Sequence, residues 1–281
     1  MNFELNQVVS LLIKLDPGLT REFLFSSTVP LVLCSSGLIY PFYALQQGYP
    51  LCFALLPVYN TIAAWNRGSV LSTSTLLYNG TIALHGLVLS AYSLKRMRNK
   101  VYVEHFNTHI IDKNDKFKAL RGASMLVKIV TWLSMSGMLS CWNAVPYLYT
   151  IRGDMSSRAS VVGISLIVIG SVLQAIADYQ KQRQKYIHGP NAYCKDGVYK
   201  LCRHPNYLGE LILNLGVFIS GYSLFPSIPR WILVGIVPLL FVPMMVSVTN
   251  ERAIDQEEKY ANQPSYKEYQ ANVKKLIPFV W

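Results

Sequence analysis

The sequence has few charged residues for its length. Asp, Glu, Lys and Arg make up 15% of the 281 residues, whereas hydrophobic residues make up 52%. Soluble domains carry about 25% charged residues, so this chain has too little polar surface to coat a globule of its size. The composition excludes a disordered chain, a fibrous protein and a secreted disulfide scaffold, and it favours a polytopic helical membrane protein.

Cysteine motifs and glycine-rich nucleotide motifs are missing as well. No CxxC and no zinc spacing is present, so we expect reduced thiols and no metal site from the five scattered cysteines Cys34, Cys52, Cys141, Cys194 and Cys202. No GxGxxG follows a strand pattern, which argues against a Rossmann dinucleotide site. The N-terminus carries acids and no basic n-region, so we expect no cleaved signal peptide.

Apolar runs long enough to cross about 30 Å of hydrocarbon recur along the chain. They are continuously apolar rather than alternating, so helices are expected instead of a barrel. Without an internal repeat or a linker, the pattern predicts one all-α integral-membrane domain over residues 1–281. Seven spans are predicted, near residues 24–45, 50–65, 75–94, 123–150, 159–177, 206–225 and 230–249.

The distribution of basic residues predicts the topology. The net charge is +11, and most bases fall in the connections 95–122 and 178–205. Bases placed between apolar runs favour anionic lipid over nucleic acid as the partner. Seven spans put both basic connections and the C-terminus on one side, which the positive-inside rule makes cytosolic. No obligate protein partner is indicated.

The stretch 170–216 carries the polar residues that a site would need. Pro205 suits the first helical position, which puts His204 at the N-cap. Arg203 beside that helix N-terminus is a candidate anion ligand. Asn206, Glu210 and Asn214 follow at intervals of four and share one helix face. Alternatively, Arg203 and the lysines reach toward anionic lipid headgroups, and Glu210 pairs with a basic residue.

Three strings in this region carry a family resemblance: RHPNYLGE at 203–210, CKDGVYKLC before it, and ADYQK at 177–181. Together with the tail YKEYQANVKKLIPFVW, they resemble the C-terminal region of the steroid 5α-reductase-like membrane proteins, in particular an uncharacterised branch of that family. The resemblance is specific over about 165–281 and looser over 85–164. A more distant resemblance is to the isoprenylcysteine carboxyl methyltransferases, which bind S-adenosylmethionine.

The resemblance implies an integral-membrane, NADPH-dependent reductase of an activated C=C bond in a lipid or steroid-like substrate, and, if the source is a eukaryote, a place in the endoplasmic reticulum. It implies that cytosolic loops and span ends of the region 165–281 form the cofactor site. Asp178, Asn206 and Glu210 match cofactor-contacting residues of the family, Gln174 and Lys185 stand where Asn and Arg are usual, and Asn214 replaces a Trp. The implied set of cofactor ligands is Gln174, Asp178, Lys181, Lys185, Arg203, His204, Asn206, Tyr207, Glu210, Asn214 and Arg252.

The substrate-binding residues of the steroid reductases are harder to place. Their N-terminal Gln-Glu pair has no match, and His85 stands at the position of a Tyr. His85 is a candidate proton donor, or else it joins helices by hydrogen bonding, and Glu210 is the second candidate for a catalytic role. Two other functions stay open: a methyltransferase using S-adenosylmethionine, and a non-enzymatic membrane scaffold.

Overall fold

A computed structural model describes residues 17–40, 43–105, 108, 119, 121–152, 158–189, 191–221 and 228–281. Within these ranges the regular secondary structure is entirely helical, which confirms the all-α part of the expected fold class. The nine α-helices named below are α1 Pro17–Leu33, α2 Tyr49–Asn66, α3 Thr73–Arg98, α4 Lys100–His105, α5 Met125–Arg152, α6 Arg158–His188, α7 Pro205–Ser220, α8 Ile228–Lys259 and α9 Pro264–Asn272.

The helices match the apolar runs, with three differences, one of which is that α8 continues ten residues beyond its run, to Lys259. The first run is interrupted, because α1 ends at Leu33 and a 3-10 turn Ser35–Leu38 and a π turn Ala44–Gly48 follow. Helix α6 corresponds to the fifth apolar run, 159–177, and continues eleven residues beyond it, to His188. By length and composition, Met125–Ile151 and Arg158–His188 are apolar enough to cross a membrane, so seven spans stay a prediction.

The chain divides into two compact units, Met1–Ile151 and Arg152–Trp281. The sequence predicted one domain, and that these two units form one domain stays a prediction. All five cysteines are free thiols, as expected, and Cys34, Cys52 and Cys202 are buried.

Polar and aromatic contacts join the helices of the first unit. Asn60 of α2 donates from Nδ2 to Oδ1 of Asn143 of α5 at 3.0 Å. Two rings of the same helices, Phe53 and Trp142, stack with centroids 4.1 Å apart. Helix α3 begins at the N-cap Ser72, whose Oγ accepts from the Thr75 N–H at 3.1 Å, and it ends in basic residues that suit the negative end of the helix dipole.

The second unit is built on α6 and α7, with α8, α9 and the C-terminal tail beside them. As the sequence predicts, Pro205 is the first residue of α7 and His204 its N-cap. The His204 side chain makes no capping hydrogen bond, because its ring stacks on Tyr207 instead, with centroids 5.5 Å apart and planes 6° apart.

Candidate functional site

Two pairs of glycines bring α6 and α7 into backbone contact. A Cβ placed on Gly209 would lie 2.6 Å from the Gly170 carbonyl oxygen, and one on Gly216 would lie 2.6 Å from that of Gly163. Both distances are too short for any side chain, so the helices approach as closely as small residues permit. The sequence alone favours close helix packing at Gly163 and Gly170, since small residues let two backbones approach, and the structure confirms it.

The glycine pairs also set which polar residues of α6 lie at the start of α7. Gly163 faces Gly216 and Gly170 faces Gly209, so the contact moves seven residues forward along α6 as it moves seven residues back along α7. Gln174 lies beside Gly209, where the added Cβ would be 2.8 Å from its backbone nitrogen. One further turn brings Asp178 level with the chain just before α7. Gln174 and Asp178 are each 7% exposed.

The connection between α6 and α7 is tied to α6 by Gln180. Its Oε1 accepts from the Val198 N–H at 3.0 Å, and its side chain fills the space where Gly197 has no Cβ. Gly197 has φ +62°, a conformation that glycine adopts without strain. The Tyr199 hydroxyl then donates to the Ala177 carbonyl at 3.3 Å. These contacts bring the segment 203–206 back against the end of α6.

The C-terminal tail holds the other side of this segment. The Arg203 N–H donates to the Lys274 carbonyl at 2.8 Å, and the His204 N–H donates to that of Lys275 at 3.0 Å. Tyr269 of α9 donates from its hydroxyl to the Tyr199 carbonyl at 2.8 Å. The backbone at the N-terminus of α7 is thus fixed between α6 and the tail.

Four cationic side chains surround His204. Burial, together with the charges of Lys181, Arg203, Arg252 and Lys275, lowers the pKa of His204 to about 3. The imidazole is therefore neutral at physiological pH. The four cations come from α6, the connection, α8 and the tail, so the fold collects positive charge from distant parts of the second unit at one place.

Several buried polar atoms here have no hydrogen-bond partner among the described residues. They are Gln174 Oε1, His204 Nε2, Thr249 Oγ1, and Nε and Nη1 of Arg203. The Arg203 side chain is only 6% exposed. Buried polar groups are normally satisfied, so these atoms fit a site whose ligand supplies both acceptors and donors.

Tyrosines enclose Arg203 on the side of the tail. Tyr193, Tyr260, Tyr266 and Tyr269 form a cluster of ring contacts with centroids 5.0 to 6.3 Å apart. Burial raises the pKa of Tyr266, and the neighbouring Arg203 guanidinium opposes that rise. Burial also raises the pKa of Tyr260 to about 12. Tyr260 and Tyr266 therefore stay uncharged, and the rings limit the access of water to the buried guanidinium.

The remaining predicted ligands lie on the same helices with different burial. Glu210 and Asn214 are 4% and 2% exposed, and Asn214 donates to the Glu210 carbonyl at 2.9 Å. The half-buried residues are Lys181, Lys185, Asn206, Tyr207 and Arg252. Arg252 also forms an ion pair with Asp255, with Nη1 2.8 Å from Oδ2. That all these residues line one cavity stays a prediction.

His85 belongs to the first unit, on α3. It is 5% exposed and packs near the Phe53 ring, with centroids 5.9 Å apart. Its role as a proton donor stays a prediction.

One residue of the site was missed by the sequence analysis. Lys275 acts on His204 and contacts Asn250, with Nζ 3.3 Å from Oδ1. The Lys-Lys pair at 274–275 was the only local signal for it.

Fold and site together define a helical protein with a buried polar site surrounded by cations. The chain belongs to the family described as "Protein of unknown function (DUF1295)", whose model matches residues 49–273. No curated protein and no solved structure matches the chain. The family match covers α2 to α9, and so includes the whole segment that carries the site except the end of the tail.

Proposed function

We propose that the protein is an NADPH-dependent reductase of the steroid 5α-reductase-like kind, embedded in a membrane and acting on an activated C=C bond of a lipid. One observation carries the proposal: four cationic side chains act on His204 at the N-terminus of α7, beside buried atoms that have no hydrogen-bond partner within the described part of the chain. Such a site suits a ligand that combines several negative charges with polar uncharged groups.

The residues present fit NADPH by their chemistry. Lys181, Arg203, Arg252 and Lys275 are suited to the pyrophosphate and the 2′-phosphate, since guanidinium and ammonium groups form short charge-assisted bonds with phosphate oxygens. The N-terminus of α7 adds its dipole to this attraction. By contrast, S-adenosylmethionine has one carboxylate and a cationic sulfur, so it offers fewer negative groups for the four cations to bind.

Polar groups deeper between α6 and α7 suit the uncharged parts of the cofactor. The Gln174 amide can donate and accept hydrogen bonds, and the carboxylates of Asp178 and Glu210 can accept them from ribose hydroxyls and from the NH₂ of a carboxamide. Bound NADPH supplies a hydride. The chain orients the cofactor and shields it from water, and an acid that polarises the substrate carbonyl would complete the chemistry.

A lipid substrate agrees with the surface of the helices. Large apolar side chains are exposed along α2 and α3, among them Val58 (46%), Ile62 (54%) and Leu84 (62%). Exposed apolar surface of this extent is typical of contact with lipid or with a protein partner. With the basic connections, it supports a membrane location, and the proposal adds seven spans, a cytosolic cofactor site and, in a eukaryote, residence in the endoplasmic reticulum.

The test is ligand-induced stabilisation of the purified protein. A nucleotide at 100 times its dissociation constant stabilises by about 2.7 kcal/mol, which corresponds to a rise in melting temperature of roughly 5–10 °C for a chain of this size. We expect this rise with NADPH, a smaller one with NADH because it lacks the 2′-phosphate, and none with S-adenosylmethionine. Stabilisation by S-adenosylmethionine alone would refute the reductase and support the methyltransferase.

A matched pair of lysines tests the cationic cluster. Lys275→Gln removes a charge that acts on His204, whereas Lys274→Gln removes an exposed neighbour that does not. We expect the first change to weaken NADPH binding about fivefold, or about 1 kcal/mol, since a half-exposed charge is partly screened. The second change should leave affinity unaltered. Equal effects of the two changes would show that the cluster does not bind the cofactor.

A further inference from the structure

A groove between α2 and α3 has a polar end whose chemistry is set by its hydrogen bonds. The groove encloses about 210 Å³, and its lining includes Val58, Ile62 and Leu76 together with Thr61 and Asn79. Asn79 is 3% exposed, and its Oδ1 has no hydrogen-bond partner among the described residues.

The orientation of the Asn79 amide follows from its neighbours. Its Nδ2 lies 3.1 Å from Thr61 Oγ1 and 2.8 Å from Thr150 Oγ1. Each threonine hydroxyl has a single proton, and both protons are already donated, to the Pro57 carbonyl at 2.8 Å and to the Pro146 carbonyl at 2.7 Å. The hydroxyl oxygens can therefore only accept from Asn79, so the amide must present NH₂ to them.

Oδ1 of Asn79 is consequently a buried acceptor that needs a donor. If the amide were rotated by 180°, its oxygen would face the two threonine oxygens, which can only accept. Rotation of the amide therefore does not give Oδ1 a donor. A buried acceptor without a donor is destabilising. A ligand with a hydroxyl or an N–H group would satisfy it.

The size and the walls of the groove narrow the choice of ligand. A cavity of 150 Å³ lined by apolar residues holds benzene, so 210 Å³ accommodates the end of a larger molecule. Gly80, which also lines the groove, would meet nothing within 4 Å if it carried a Cβ. Val58, Ile62 and Leu76 are 46% to 54% exposed at its mouth, which favours a ligand whose remainder stays in an apolar phase.

We propose that the groove between α2 and α3 binds a membrane lipid through a free hydroxyl group, which donates to Oδ1 of Asn79 while its hydrocarbon packs against Val58, Ile62 and Leu76. This inference rests on the membrane location in the proposed function, but it does not depend on reductase activity or on NADPH.

The experiment uses a diazirine-bearing 16-carbon primary alcohol and its methyl ether, with the full chain in lipid nanodiscs. The ether has the same shape but no proton to donate. We expect the alcohol to label peptides of residues 57–83 at least fivefold more than the ether does. Equal labelling by the two probes, or no labelling of these peptides, would overturn the proposal. A protein that shows the preference without any NADPH response would refute the reductase and leave the lipid site standing.

A matched pair of glycines tests the position. Gly80→Leu fills the groove, and Gly137→Leu adds the same side chain to an equally open position on α5. We expect the first to abolish the preference for the alcohol and the second to retain it. Retention in Gly80→Leu would place the labelled site elsewhere. The comparison of alcohol and ether in the unaltered protein needs no variant, so it decides the question even if Gly80→Leu does not fold.

Discussion

Replacement of Gly209 by alanine should separate α6 from α7 and destabilise the second unit. The added Cβ would lie 2.6 Å from the Gly170 carbonyl oxygen and 2.8 Å from the Gln174 backbone nitrogen. Both atoms are backbone and cannot rotate away, so the helices must move apart by several tenths of an ångström. Overpacking of this kind costs about 1–3 kcal/mol, against a gain of up to about 1 kcal/mol from the better helix propensity of alanine.

The expected net loss is about 1–2 kcal/mol, which lowers the melting temperature by roughly 2–8 °C. Thermal unfolding of detergent-solubilised Gly209→Ala measures it. Gly137→Ala is the control, because a Cβ at Gly137 would meet nothing within 4 Å and should leave stability unchanged or slightly raised. If both variants melt at the same temperature, the two helices do not approach as closely as described.

Three further predictions concern the site and the topology. Glu210→Gln should weaken NADPH binding by about 1–3 kcal/mol, the range for a hydrogen bond to a charged group. Glu210→Leu should abolish binding while the protein still inserts into the membrane. Unchanged affinity when both variants are titrated with NADPH would show that Glu210 has a structural role only. His204 has a folded pKa of about 3 against its ordinary 6.5, so the unfolded chain takes up its proton first, and stability should fall as the pH drops from about 6.5 toward 3. His204→Asn should flatten that part of the melting-temperature profile, and an identical profile would contradict the assignment. Glycosylation acceptor sites placed in 95–122, 178–205 or after Trp281 should remain unmodified, whereas modification at the C-terminus would reverse the topology.

Local patterns predicted the helices and their ends where the cause was local. Pro205 and His204 are the clearest case, because the first turn of a helix tolerates a residue without an N–H. Gly163 and Gly170 predicted close packing for a similarly direct reason, the absence of a side chain.

Hydropathy was less informative about where helices end. It predicts the extent of an apolar layer, whereas α6 continues to His188 because the lysines, arginines and glutamines after Asp178 are good helix formers. The helix ends at Gly189, which has φ +88°. Conversely, the first apolar run is interrupted within apolar sequence, where Ser35, Ser36 and Gly37 disfavour a helix.

Contacts between distant segments account for what was missed at the site. Lys275 reaches His204 only because the tail pairs with the segment before α7, and a pattern of neighbouring residues contains no trace of that pairing. The residues implied by family resemblance lie on α6, α7 and α8 and on the connection before α7, and their role as cofactor ligands stays a prediction.

The pairing of Arg203 and His204 with Lys274 and Lys275 has a consequence for the order of folding. It joins segments about seventy residues apart, and closing a loop of that length is entropically unfavourable until α8 and α9 have formed and returned. The helix pair α6 and α7 can assemble early from neighbouring sequence, but the cationic site becomes complete only in the last step. Transient release of the tail would undo that step alone, so amide exchange at residues 203 and 204 should report the opening of the site while the paired helices stay protected.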